Sequence, residues 1–366
     1  MNTGDLIAVD DREAEPTPAS AAPRPAPARR PRRFRQRLVS VHRWLSLGMA
    51  ALWLFQAVTG ALIVFHWEIA DAAVSAPHAA TDLAALGRRI ERLAPPGSGR
   101  HVAALWTSAG FHDRYDIHVI DARTGGDTVV RVSGDGTPIH VSRPGAVSLI
   151  DTIVLLHQTL LGGDRGRWII GASGLLLVSN LTMGLVVAWP RRGTWRKSLT
   201  PARRGQPIAG TYSWHRALGL TGAAAALLLI TPGALLAFDA ELRPLLNAVP
   251  VTVPASPGPS AIGFAQAVEA AESAVPGSRL TAVTMPGAED ATYQVRLRAP
   301  GDWQRAYGGS VVFVDAASGR IRGIDLAGDA PPARKAMDML FPIHTGQAGA
   351  GRCGCWCSRS ASGCRA

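Results

Sequence analysis

Hydrophobic and polar positions alternate along this chain on two length scales. Three stretches contain no Asp, Glu, Lys or Arg: Trp44 to Trp67, Trp168 to Pro190 and Ala217 to Phe238, which are 24, 23 and 22 residues long. About 20 residues of helix cross a bilayer core, so each stretch predicts a membrane span. Each is rich in Leu, Val, Ala and Gly, and Trp44, Trp67, Trp168 and Trp189 mark their ends, as expected at membrane interfaces. A single run of this kind also fits a buried helix of a large soluble core; three with these flanks fit a membrane.

Outside the spans the period shortens. "YDIHVIDARTGGDTVVRV" and "YQVRLRAPGDWQRAYGGSVVFVDAASGRIRGI" alternate apolar with polar residues, turn at Gly and run on as further strands. "AIGFAQAVEAAESAVPG" precedes the second set, with apolar residues at helical spacing and a Pro-Gly stop.

The two scales repeat together. "HRWLSLGMAALWLFQAVTGALIVF" from His42 aligns without a gap on "HRALGLTGAAAALLLITPGALLAF" from His215, and Gly-Ala-Leu recurs 18 residues after each His. A His returns after each outer segment, His157 in "LIDTIVLLHQTLLGGDRGRWIIG" and His344 in "AMDMLFPIHTGQAGAGRCGC". The unit is a span, an outer α+β domain, a His-bearing re-entry and a second span, used twice. It predicts a fourth span directly after Arg352. The fold class expected is therefore a membrane helical bundle with two α+β domains outside it, built by internal duplication.

Charge orients the bundle and narrows the partners. The chain has 366 residues and a net charge of +11, but only 18% charged residues against 47% hydrophobic. Nucleic-acid surfaces interleave basic residues with stacking aromatics. Here the positive charge sits in "RRPRRFRQRLVSVHR" and "RRGTWRKSLTPARRGQPIAGTYSWHR", each bordering an apolar run. That points to a lipid bilayer and away from nucleic acid, with both blocks cytoplasmic. The expected order is a disordered basic cytoplasmic tail over 1–35, a span within 36–67 and an outer domain over 68–147. A re-entry helix and second span follow over 148–190, then a cytoplasmic loop over 191–213 and a third span within 214–238. A second outer domain covers 239–342, and 343–352 begins the fourth span. "AVSA" after the first span also fits a signal-peptide cleavage site, but the run is long for that role and resembles the third span, so it is read as retained.

Five histidines sit at the predicted boundaries: His42, His66, His157, His215 and His344. His42 and His215 open spans at the cytoplasmic face, whereas His157 and His344 lie at the outer re-entries. The two levels are separated by roughly the bilayer thickness at about 1.5 Å per residue. Two His per level, from different helices, is what bis-histidine haem ligation in a bundle requires. Arg43 and Arg216, next to the inner pair, are candidates for the haem propionates. The alternative is that these His-Arg pairs are interfacial anchors. His66 aligns with Asp239, which favours an interfacial role. His78, His101, His112, His118 and His140 lack ligand spacing and read as surface or strand residues. Gly166, Gly171, Gly174 and Gly184 suit close helix packing or close cofactor approach, and Thr231-Pro232-Gly233 predicts a kink.

Taken in order, "HRWLSLGMAALWLFQAVTGALIVF", "LLHQTLLGGDRGRWIIGASGLLL", "GLVVAWPRR", "SWHRALGL" and "FPIHTGQAGAGR" resemble the PepSY-associated transmembrane family. That family includes iron-regulated inner-membrane proteins and ferric-siderophore reductases, and the resemblance covers roughly residues 36 to 352. It implies four core helices, periplasmic PepSY-type domains and a bacterial-type inner-membrane location. It also implies b-type haem in at least the reductase members and a role in reducing iron in imported siderophores. The two histidine levels lead to an expectation of two haems in the full-length chain. His42, His157, His215 and His344 match the family's recurring motif histidines. No GxGxxG lies on a strand-to-helix turn, so the electron donor is expected to be separate, a quinol being one class. Two further readings stay open: a non-catalytic envelope protein binding a peptide, a protease or a transport partner, and an accessory subunit of siderophore transport.

All four cysteines, Cys353, Cys355, Cys357 and Cys364, fall in "GRCGCWCSRSASGCRA". The spacing is unlike that of zinc sites. Similarity to "GDRGRWIIGASGLLLVSN" stops at Gly351-Arg352, where an apolar helix is due. A frameshifted or truncated end is the favoured expectation and a periplasmic disulfide cluster the alternative.

Overall fold

The apolar runs become the long helices of a computed structural model that describes residues 30–72, 76, 78–108, 113–142, 148–201, 207–304 and 307–347. Helices α1 (Arg30–Val64), α5 (Gly163–Ala188) and α7 (Pro207–Leu236) are each long and apolar enough to cross a membrane. Only 6% of the most apolar window of α1 is buried inside the protein, so its surface is built to face lipid. The expected fourth span and the cysteine-rich tail lie outside the described residues.

Two boundaries differ from the sequence reading. Helix α1 starts at Arg30, inside the segment read as tail, because Arg and Gln extend a helix readily and Pro31 is tolerated in its first turn. Helix α7 starts at Pro207, inside the segment read as loop, which also carries the short helix α6 (Trp195–Leu199).

Between α1 and α5 lie α2 (His66–Ala72), α3 (Leu83–Leu93), strands β1 (Arg100–Thr107), β2 (Arg114–Asp121), β3 (Asp127–Ser133) and β4 (Pro138–Val141), and then α4 (Leu149–Thr159). After α7 the same order returns: α8 (Asp239–Leu245), α9 (Phe264–Ala274), β5 (Arg279–Thr284), β6 (Thr292–Arg298), β7 (Ser310–Asp315), β8 (Ile321–Asp325) and α10 (Pro332–His344). Local signals set these starts. Asp82 caps α3 by accepting from the Ala85 amide at 2.9 Å, and Ser148 and Asp151 close a reciprocal capping box on α4.

The two outer segments, expected as two domains, share one sheet. All eight strands are antiparallel in the order β4-β3-β2-β1-β5-β6-β7-β8, and β1 pairs β5 with Leu105 opposite Val283. The alternation explains the layer beneath. Leu105, Ile117, Val132, Val283, Val295 and Val312 point to one face and are fully buried against α3 and α9, where Leu86 and Val268 are fully buried too. Joining the sheets removes two edges that would otherwise need covering.

Arginine ties this layer to the bundle. Buried Arg114 of β2 pairs with Asp71 of α2. Arg167 of α5 grips Glu241 of α8 with both terminal nitrogens, at 3.0 and 2.8 Å. Arg243 of α8 bonds Asp239 and Asp338, each at 2.8 Å, and thereby fixes α10 against α8.

Candidate functional site

Four helices carry the four motif histidines, which come together in two pairs. His42 of α1 faces His215 of α7, with ring centroids 6.2 Å apart and planes at 50°. His157 of α4 faces His344 of α10, again at 6.2 Å, with planes at 21°. Along both α1 and α7 the two levels are 18 residues apart, from His42 to Gly60 and from His215 to Gly233, or about 27 Å of helix.

Glycine admits the rings. A Cβ at Gly60 would lie 2.9 Å from His157 Cε1, and one at Gly184 would lie 3.0 Å from His42 Cε1. Gly233 is packed against the His344 ring more tightly still. His157 and His344 therefore rest on aligned glycines, each on the long helix of its own half.

Hydrogen bonds orient three of the rings. His42 Nδ1 lies 3.0 Å from the Asn180 carbonyl and His344 Nδ1 lies 2.8 Å from the Leu229 carbonyl. A carbonyl only accepts, so each Nδ1 carries the proton. Thr59 Oγ1 donates to the Phe55 carbonyl at 2.9 Å and so accepts from His157 Nδ1 at 3.1 Å. In the neutral imidazole this arrangement leaves the lone pair on Nε2 of all three rings, the form a metal requires. Pro232 contributes at the outer level. It lacks the N–H that would close on the Leu228 carbonyl, opening the ladder of α7 beside the Leu229 carbonyl that His344 uses.

The geometry suits a shared metal. A metal–imidazole bond is about 2 Å and the ring centroid lies about 1.2 Å behind its nitrogen, so two in-line imidazoles on one metal have centroids about 6.3 Å apart. Both pairs match that spacing. Among the described residues no group of three or more His, Cys, Asp or Glu clusters as a metal cage, and each pair offers two imidazole donors.

A family model described as the PepSY-associated TM region matches residues 39–359. The chain belongs to this family. No curated protein matches it.

Within this PepSY-associated transmembrane chain the arginines are placed less decisively than the histidines. Arg43 is exposed and lies over the Trp44 ring at 5.3 Å. Arg216 donates to the Lys197 carbonyl at 3.3 Å, while among the described residues its buried Nε has no hydrogen-bond partner. His66 joins neither pair and turns Nδ1 to the Ile63 carbonyl. His118 pairs with Asp127 at 2.9 Å and His78 with Asp113 at 2.7 Å, both in the sheet layer, and His112 lies outside the described residues.

Of the four glycines singled out, Gly171 and Gly174 let α5 pack against Phe238 and Ala234, and Gly166 lies against the Thr159 carbonyl. Only Gly184 meets a motif histidine. Thr59, Leu229 and Asn180 were not foreseen as orienting groups. Asn180 carried a signal, as an amide inside an apolar run. Its side chain donates to Ser46 Oγ at 2.8 Å, which ties α5 to α1 beside His42.

Proposed function

We propose that this chain is a b-type haem protein of a bacterial-type inner membrane that carries electrons to a ferric siderophore on the outer face. The observation that carries this reading is the doubled histidine pair, 6.2 Å apart at each of two levels, with Nδ1 bonded and Nε2 left free in three of the four rings. His42 and His215 would hold one haem, and His157 and His344 the other. Haem b, when bound, supplies a one-electron iron couple in apolar surroundings. Arg216, with its unpartnered Nε, suits an inner propionate. The matching element order of the two halves supports an internal duplication, and the basic blocks support a cytoplasmic N-terminus with the sheet layer in the periplasm. Electrons enter from a separate donor, such as a quinol. Reduction at the outer face frees iron because siderophore oxygens prefer Fe(III) to the softer Fe(II).

Absorption spectra test the reading. Protein purified from haem-supplied cells is expected to show a Soret band and, after dithionite, sharp α and β bands. Absence of these bands from well-folded protein overturns it and leaves the non-catalytic envelope reading. Ferric siderophore added to reduced protein is expected to reoxidise the bands.

A further inference from the structure

A cavity of about 430 Å³ opens between the uncovered face of β6 and β7 and the helices α7, α8 and α10. Its volume falls in the range of small-molecule sites. Among the described residues the charged groups on its wall are three arginines and three aspartates: Arg243, Arg296, Arg334, Asp290, Asp325 and Asp338.

Among the described residues five of these six join an ion pair or accept a backbone hydrogen bond, although Arg334 Nε has no hydrogen-bond partner. Asp338 takes Arg243 at 2.8 Å and Arg334 at 3.5 Å. Asp325 takes Arg334 at 2.6 Å and the Val251 amide at 3.3 Å. Asp290 accepts from the Ser256 amide at 3.1 Å and Thr292 Oγ1 at 2.6 Å. Arg296 is left over. Among the described residues its side chain makes one hydrogen bond, a long 3.4 Å contact from Nη1 to the Gly308 carbonyl, and joins no ion pair.

A guanidinium carries five donors, and a half-buried cation without a counter-ion is costly. Burial pushes the Arg296 pKa below the usual arginine range, despite Asp338 and Asp325 in the neighbourhood. Natural interiors pair such groups, so an unpaired one in a cavity marks a place for a ligand. The same wall also carries apolar groups: Val311 and Phe313 from β7, Met337 and Phe341 from α10.

We infer that this cavity binds an organic monoanion, its carboxylate-like group on Arg296 and its apolar body against Phe313, Met337 and Phe341. The site is independent of haem. It does lie on α10, whose Phe341 is 3 residues before His344, about 4.5 Å along the helix. The ligand therefore sits one turn from the outer histidine pair.

Full-length protein in nanodiscs, titrated with 4-phenylbutyrate, its primary amide and dodecanoate, tests the inference by calorimetry. A carboxylate is expected to saturate the protein and the amide to bind at least about 10-fold more weakly, the loss expected for one charge-assisted hydrogen bond. Saturation by 4-phenylbutyrate marks a soluble organic anion, and saturation by dodecanoate alone marks a fatty-acid source. Arg296→Met is expected to abolish binding while raising the melting midpoint, because it removes the unpaired cation. Arg296→Gln, measured in parallel, is expected to fold and also to lose binding. Equal binding of acid and amide, no saturation by either acid, or undiminished binding in the folded variants overturns the inference. None of these readouts requires haem, so failure here and failure of the haem proposal are separate results.

Discussion

The outer and inner histidine pairs share a spacing but not a degree of completion. At the outer level both rings rest on glycine, both Nδ1 atoms are bonded, and the planes lie within 21°. At the inner level only His42 has this support, from Gly184 and the Asn180 carbonyl. His215 is exposed and, among the described residues, has neither a glycine beneath it nor an Nδ1 partner, and its plane is turned 50° from that of His42. His42 leans on α5 through Gly184 and the Asn180 carbonyl, and no described helix does the same for His215. A ring is therefore positioned by the neighbouring helix as much as by its own, and the outer pair is the one completed by described helices.

The largest expected effect removes a ring altogether. His157→Ala or His344→Ala is expected to abolish the outer haem, about one per full chain by pyridine haemochrome assay, and to leave the inner one. His42→Ala is expected to remove the inner haem alone. If His157→Ala and His42→Ala lose the same spectral component, the two-level pairing is wrong. The comparison further predicts that the inner haem dissociates faster, which haem transfer to apomyoglobin would measure.

Next in size is filling the glycine cradles. Gly60→Val or Gly233→Val places a side chain in the space held by His157 or His344 and is expected to eliminate the outer haem's spectrum while α1 and α7 remain helical. Gly219→Ala is the control. Nothing lies within 4 Å of its added Cβ, so on α7 it is expected to stabilise the helix by about 0.5–1 kcal/mol with haem content unchanged. Loss of haem in that control would mean the cradle argument reports helix packing in general.

A smaller loss is expected from Thr59→Val, which keeps the shape of the side chain but removes the oxygen that accepts from His157 Nδ1. Orienting partners of this kind are worth about 10- to 100-fold in metal affinity. Outer-haem affinity is expected to fall within that range and inner-haem affinity to hold.

Much of this was legible in the sequence for a definite physical reason. Spans need about 20 uncharged residues and half-buried strands need alternation, so α1, α5, α7 and the strands announced themselves. The in-register His42 and His215 named one pair, and the recurring re-entry histidines named the other. What stayed hidden depends on three-dimensional proximity. Backbone carbonyls such as Leu229 and Asn180 have no identity in a sequence, and the choice of Gly184 over Gly174 as a histidine cradle follows from helix rotation. The joining of β1 to β5 was also hidden, because strand pairing between segments more than 170 residues apart leaves no local pattern.

The sheet layer supplies the smallest effect and a control for both pairs. Burial raises the pKa of Glu272 on α9 above the ordinary glutamate range, while its Oε1 accepts from the Leu280 amide at 3.1 Å. The folded state therefore holds this proton more tightly than the unfolded state. Between the two pKa values folding binds the extra proton, so the stabilising contribution is present at low pH and is lost as pH rises through the folded pKa. Glu272→Gln keeps an oxygen for Leu280 and removes the ionisation. The variant is expected to melt higher than the parent at pH 7.5, with the difference vanishing towards pH 4. Haem content at both levels is expected to stay at the parent value, since α9 touches neither pair. A lower melting midpoint for the variant at pH 7.5 would show that the ionised carboxylate, rather than the neutral one, is the form the sheet layer favours.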